Sequence, residues 1–213
     1  MNYLAHGYRF LDRPLFVAGT ALPDWLSASD RKARLRRSAV EGVDGDLAAG
    51  VRRHMDDDAW FHSTEAFQRS EAELTEMVRF AHQDEPRQRA WFFGHILVEM
   101  LLDAWLMEED PTRLDEYYAV LSAADLAQVR KESAPWLSQP AQRLEWFMDV
   151  FLESRFLEGY RTDEGLLHRL NGVARRVGLP SLSPRTLTLL PEARSLVYAR
   201  APALLDPDPR MAP

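Results

Sequence analysis

Two stretches of this chain repeat histidine and carboxylate at four-residue steps, a spacing that gathers side chains on consecutive turns of one helix face. In VDGDLAAGVRRHMDDDAWFHS the apolar stripe of Val43, Leu47 and Val51 continues, by steps of three or four, into His54, Asp58 and His62. In AWFFGHILVEMLLDAWLM only Gly94, His95, Glu99 and Asp103 interrupt an apolar run. A solvated helix face would be wider and richer in charge, so a narrow polar line on an apolar helix predicts a polar cavity. Burying imidazoles and carboxylates is costly unless each finds a partner, and a metal ion or a hydrogen-bonded network supplies one.

Neutral imidazole combined with carboxylate oxygen suits divalent Mn, Zn or Fe, whereas an all-oxygen set favours Mg or Ca. A divalent ion makes its bound water a usable nucleophile near neutral pH and polarises phosphoryl oxygens, so hydrolysis of a phosphoester is the expected chemistry. The alternatives are a metal-free network around the second helix and, for the first, a helix end that simply surfaces into solvent. Other chemistries lack their residues. There is no Cys for a thiolate nucleophile or ligand, and no GxSxG elbow, Gly-rich phosphate loop with Lys, or HExxH.

The elements that must position these side chains read as helices. Glycines are few, and most prolines fall outside the apolar-periodic stretches. The expected fold class is all-α, a single multi-helix bundle, with helices near 3–11, 30–38, 43–62, 65–83, 87–108, 112–121, 123–132, 140–158 and 163–177. Pro111 with Thr112, Ser122 and Thr162 are expected helix starts, and Gly178 a stop. The bundle spans 1–178, and 179–213 is a C-terminal extension packing on it, its last eight residues loose. Trp91, Phe92, Phe93 and Trp105 read as core; His82 and His168 lie outside both polar lines.

The apolar run Pro14 to Leu22 follows Arg9 and Arg13 without a clean cleavage site and is not read as a signal peptide. Ala90 to Met107 contains ionisable residues and reads as a buried helix, not a membrane span. A cytoplasmic location follows by default from the lack of Cys. The net charge of −7 argues against nucleic acid as a partner. Locally, RKARLRR concentrates Arg31, Lys32, Arg34, Arg36 and Arg37, with Arg52 and Arg53 beyond. That run is either a solvated face or a docking patch for an acidic partner.

The opening MNYLAH, then AGTALPDW, then GVRRHMDDDAWFH and a later apolar helix with GH together resemble the acyl-carrier-protein phosphodiesterase family. The resemblance runs from residue 1 into the second polar helix. It implies an HD-like helical core distantly related to metal phosphohydrolases, a divalent cation, and release of 4′-phosphopantetheine from a serine of acyl carrier protein. By position, His6 matches the family's N-terminal histidine, Asp24 the acidic residue of its G-x(4)-D turn, His54 and Asp58 its GVxxHxxxD helix, and His95 its later histidine. Where the family pattern has aspartate, this chain has Gly94 and His62; Glu99 or Asp103, one and two turns past His95, would replace the missing ligand.

On this reading the metal candidates are His6, Asp24, His54, Asp58, His95 and Asp103, and the catalytic candidates are Asp24, His62 and Glu99. Acyl carrier protein is acidic, and Arg31, Lys32, Arg34, Arg36 and Arg37 would steer it. Two other readings are a metal-dependent phosphoesterase acting on a small molecule or nucleotide, and a non-catalytic binding protein on the same scaffold.

Overall fold

The computed structural model describes residues 1–84 and 89–206. Among these there is no strand, only an isolated bridge between Leu35 and Leu137, and the chain is all-α. In chain order the helices are α1 (Tyr3–Gly7), α2 (Pro14–Ser29), α3 (Arg37–Val40), α4 (Asp46–Ser63), α5 (Glu65–Ala81), α6 (Ala90–Glu109), α7 (Arg113–Ala123), α8 (Leu126–Ser133), α9 (Leu144–Ser154), α10 (Asp163–Val177) and α11 (Leu190–Leu205). The expected helix near 87–108 would begin on two residues that lie outside the described ones, as do all but the first of the last eight.

The helix boundaries follow local chemistry. Gly45, with φ of 105°, holds a conformation that other residues rarely adopt, and α4 starts immediately after it. Thr162 accepts from the Gly165 N–H at the start of α10, and Gly178, at φ 75°, closes that helix, as expected. The α8 cap is Asp125, whose side chain accepts from Ala127 and Gln128 N–H, and Ser122 instead lies within α7. The helix expected over 140–158 is shorter, because Arg155 turns left-handed at φ 44° and a 3-10 segment, Phe156–Arg161, follows.

Two differences from expectation are larger. The apolar run after Arg13 is α2 itself, started by Pro14 and buried through Phe16, Val17, Leu22, Trp25 and Leu26. The helix expected over 30–38 does not form beyond the short α3. Its backbone bonds across to another segment instead: Arg36 N–H donates to the Trp136 carbonyl at 3.0 Å, and Ser138 N–H to the Arg34 carbonyl at 2.8 Å. Five cations on successive turns would also repel one another in a helix.

The packing divides into two compact units, Met1–Ala59 with Pro111–Phe156, and Trp60–Asp110 with Leu157–Pro213; the boundary falls within α4. In the first unit Phe151 of α9 gathers Tyr3, Trp25 and Tyr118 at ring-centroid distances of 4.8, 5.6 and 5.5 Å, an aromatic centre that ties α1, α2 and α7 to α9. In the second, α5, α6 and α11 pack together. Arg200 of α11 grips both oxygens of Glu73 on α5 at 2.9 and 3.0 Å, and Arg194 holds Asp163 at the start of α10 at 2.9 Å. His82 is buried, its Nε2 2.9 Å from the Thr186 hydroxyl, whereas His168 is exposed.

Helix α6 is long and apolar enough to cross a membrane by length and composition, but 61% of its apolar window is buried within the protein, as in the core helix of a soluble protein. Phe93 is in that core, Phe92 and Trp105 are half-buried, and Trp91, expected inside, is 58% exposed on the outer side of α6.

Candidate metal centres

In the first unit, α1 supplies His6 and α4 supplies His54 and Asp58. The close approach of α2 to α4 depends on two glycines. A Cβ at Gly19 would sit 2.3 Å from the Leu47 carbonyl oxygen, and one at Gly50 would sit 2.1 Å from that of Phe16. Backbone meets backbone there, which brings the Thr20 carbonyl within reach of His54, one turn after Gly50. His54 Nδ1 donates to that carbonyl at 2.8 Å. Because a carbonyl only accepts, Nδ1 carries the proton, and in a neutral ring Nε2 presents a lone pair.

That lone pair faces another acceptor, Asp58 Oδ2, at 3.4 Å. His6 repeats the arrangement. Its Nδ1 lies 3.5 Å from Asp57 Oδ2, and its buried Nε2 lies 3.2 Å from Asp58 Oδ1 without making a hydrogen bond. The two rings stack with centroids 4.0 Å apart. One ligand atom from each of His6, His54 and Asp58 lies within 4.8 Å of the others, a group that could hold a metal ion. Both histidines are almost wholly buried, while the Asp58 side chain is 34% exposed.

Three acceptors turned toward one another require a positive charge among them. The Met1 amino group supplies part of it, donating to Asp58 Oδ1 at 2.7 Å; protons on the imidazoles or a bound cation would supply the rest. Burial opposes ionisation of Asp58, yet His54, His6 and the Met1 ammonium hold its carboxyl well below the usual range. Asp57 is likewise held low against burial, by His6 and by Arg53, whose Nε is 2.7 Å from Oδ1.

The second unit contains the other group. His62 Nε2 and His95 Nε2 both point at one oxygen, Glu99 Oε1, at 3.2 and 3.5 Å. His95 Nδ1 lies 2.9 Å from Glu71 Oε1 on α5. The two rings stack at 4.8 Å, and the edge of Phe67 closes on both, at 4.8 and 5.1 Å. Glu99 is mostly buried; the imidazoles are about a third exposed, at 33% and 30%. Burial resists charging of His95, but Glu99 and Glu71 outweigh it and raise its pKa. Burial likewise opposes charge on Glu99, and the two imidazoles help to hold it below its ordinary value.

The seam His54, Asp58, His62 expected from spacing is thus shared between two groups, His54 and Asp58 belonging with His6 in one, and His62 with His95 and Glu99 in the other. Asp24 is half-buried on α2, one turn beyond Thr20, and Asp103 is fully buried on α6, one turn beyond Glu99; neither joins a ligand group. Gly94 is a packing position: a Cβ there would lie 2.8 Å from the Thr75 amide nitrogen and 2.9 Å from the Glu71 carbonyl oxygen, so an aspartate has no room without moving α5. Sequence reasoning missed Met1, Asp57 and Glu71. Asp57 is adjacent to a residue that spacing selects, but nothing in the local pattern singles out Glu71. Arg31, Lys32, Arg34, Arg36 and Arg37 are all exposed, with Arg36 donating to the Pro135 carbonyl at 3.0 Å and Arg37 paired with Asp56 at 2.6 Å.

No protein-family model, curated protein or solved structure matches this chain.

Proposed function

We propose that this protein is a divalent-metal-dependent phosphodiester hydrolase of the acyl-carrier-protein phosphodiesterase type, releasing 4′-phosphopantetheine from a serine of acyl carrier protein. The observation that carries the reading is the inward convergence of His6 Nε2, the His54 imidazole and the Asp58 carboxylate in one unit. These three would hold the ion, and a set of two imidazoles and a carboxylate suits Mn, Zn or Fe. A bound divalent ion supplies a nucleophilic water near neutral pH and polarises the phosphoryl oxygens.

The other roles belong to the chain. The Thr20 carbonyl and Asp57 take the outward Nδ1 protons of His54 and His6, which keeps both Nε2 atoms directed inward. Asp24, outside the ligand group, is the carboxylate assigned to orient the attacking water and accept its proton. The exposed cations from Arg31 to Arg37 lie in the same unit and support an acidic protein as substrate.

The test is release of the arm from holo-acyl carrier protein by the full chain with Mn²⁺. The expected outcome is turnover by the parent protein and a drop of about 100-fold or more in kcat/KM for Asp58→Asn and His54→Gln, with Asp24→Asn lowering kcat while metal content is retained. No release by the parent protein would remove this substrate, and activity unaltered in Asp58→Asn would remove this centre.

A further inference from the structure

We infer that the second unit carries its own transition-metal site, formed by His62, His95 and Glu99, independent of the centre proposed in the first unit. The argument rests on where protons can go. His95 Nδ1 faces the Glu71 carboxylate, which in its ionised form only accepts. A neutral His95 therefore spends its proton on Glu71 and presents an Nε2 lone pair to Glu99 Oε1, 3.5 Å away. His62 Nε2 converges on the same oxygen at 3.2 Å. Without a cation, that oxygen is satisfied from both sides only if His62 carries its proton on Nε2 and His95 carries two. A divalent ion satisfies all three groups with both rings neutral.

The surroundings fit a built ligand set. A carboxylate behind a histidine fixes its tautomer and strengthens it as a donor toward a metal, and Glu71 stands in that position. Phe67 packs against both rings in edge-type contacts, which restricts their rotamers before binding. Two nitrogens and one carboxylate select Zn, Co, Fe or Mn over Ca or Mg. Three protein ligands, two of them about a third exposed, leave coordination positions open to water, as in exchangeable sites and unlike closed structural ones. Glu71, the carboxylate behind His95, also lines a groove of about 740 Å³ with Thr75, Met77, Trp91 and Leu196.

The experiment uses the chelator-stripped full chain titrated with CoCl₂ alone, following visible absorption and, after equilibrium dialysis against Zn²⁺, bound metal per chain. His54→Gln is expected to retain a full equivalent of metal, and His62→Gln or Glu99→Gln in that background to abolish it. Glu71→Gln is expected to weaken affinity at this site by about 10–100-fold without changing the equivalents bound at saturation. Far-UV circular dichroism monitors folding, and because Glu71→Gln removes no ligand it keeps the test open if a ligand variant fails to fold. Metal content unchanged by His62→Gln and Glu99→Gln, or none retained by a folded His54→Gln, overturns the inference. The outcomes also separate the two centres: loss in His62→Gln alone, with nothing lost in His54→Gln, leaves this site standing and removes the other.

Discussion

Thr20 contributes to the first centre only through a backbone carbonyl, yet that carbonyl decides which nitrogen of His54 is free. Such partners cannot be read from spacing. The four-residue steps do show that His54 and Asp58 share a helix face, and the resemblance marks His6, but the division of the seam depends on which distant helix each imidazole meets. Asp57 illustrates the consequence for stability. In the ion-free protein its carboxyl is held low against burial by His6 and Arg53. A carboxyl depressed on folding contributes stability that is fully present above its unfolded pKa, about 4, and is lost as pH falls through the lower folded value. The melting temperature of chelator-treated protein should therefore fall below about pH 4, and Asp57→Asn should show a shallower acid limb from a lower starting point. Parallel acid limbs for the two proteins would mean that Asp57 is not held by these partners.

At the scale of elements, the long amphipathic helices were legible because polar and apolar faces alternate at helical period, as in α5 and α10. Helix α2 was not, since its apolar residues run nearly all round it and leave no periodic contrast, and Pro23 inside it reads as a break. Helix α11 was obscured in the same way by Pro191 near its start and Pro202 within it. The crossing that matters most is also hidden in sequence: Gly19 and Gly50 look unremarkable until their helices touch. A methyl group at Gly50 would sit 2.1 Å from the Phe16 carbonyl oxygen, and backbone on both sides cannot yield as a side chain would. Gly50→Ala should gain about 1 kcal/mol of helix preference but lose more to forced separation of α2 and α4, for a net destabilisation of about 1–3 kcal/mol. Because His54 lies one turn on, its reach to the Thr20 carbonyl lengthens as well. Urea unfolding should show the lower midpoint, and Co²⁺ titration a weaker first-unit site; a variant as stable as the parent, with unchanged affinity, would show that the crossing does not position the ligand.

At the scale of the molecule, each compact unit joins stretches distant in the chain, Met1–Ala59 with Pro111–Phe156 in the first. Local periodicity carries no information about such pairing, so which distant stretches pack together in each unit emerges only from the coordinates. Charge behaves differently, because it acts at a distance whatever the local fold. The chain carries a net −7, so an acidic protein is repelled overall and can be drawn in only by a local field of opposite sign. The run from Arg31 to Arg37 keeps its cations exposed although the expected helix is absent, and Lys32 and Arg34 lie on the non-helical segment tied down through Ser138. If this segment steers acyl carrier protein, replacing Arg31, Lys32 and Arg34 together by Glu should slow association by about 10-fold or more at low salt. The difference from the parent should shrink as ionic strength rises toward physiological values, where the screening length falls to about 8 Å. Because the substituted side chains are exposed and lie outside both ligand groups, Co²⁺ equivalents should stay at the parent value. Stopped-flow association across a salt series measures the effect, and equal rates for the two proteins at every salt concentration would rule out this face as the docking surface.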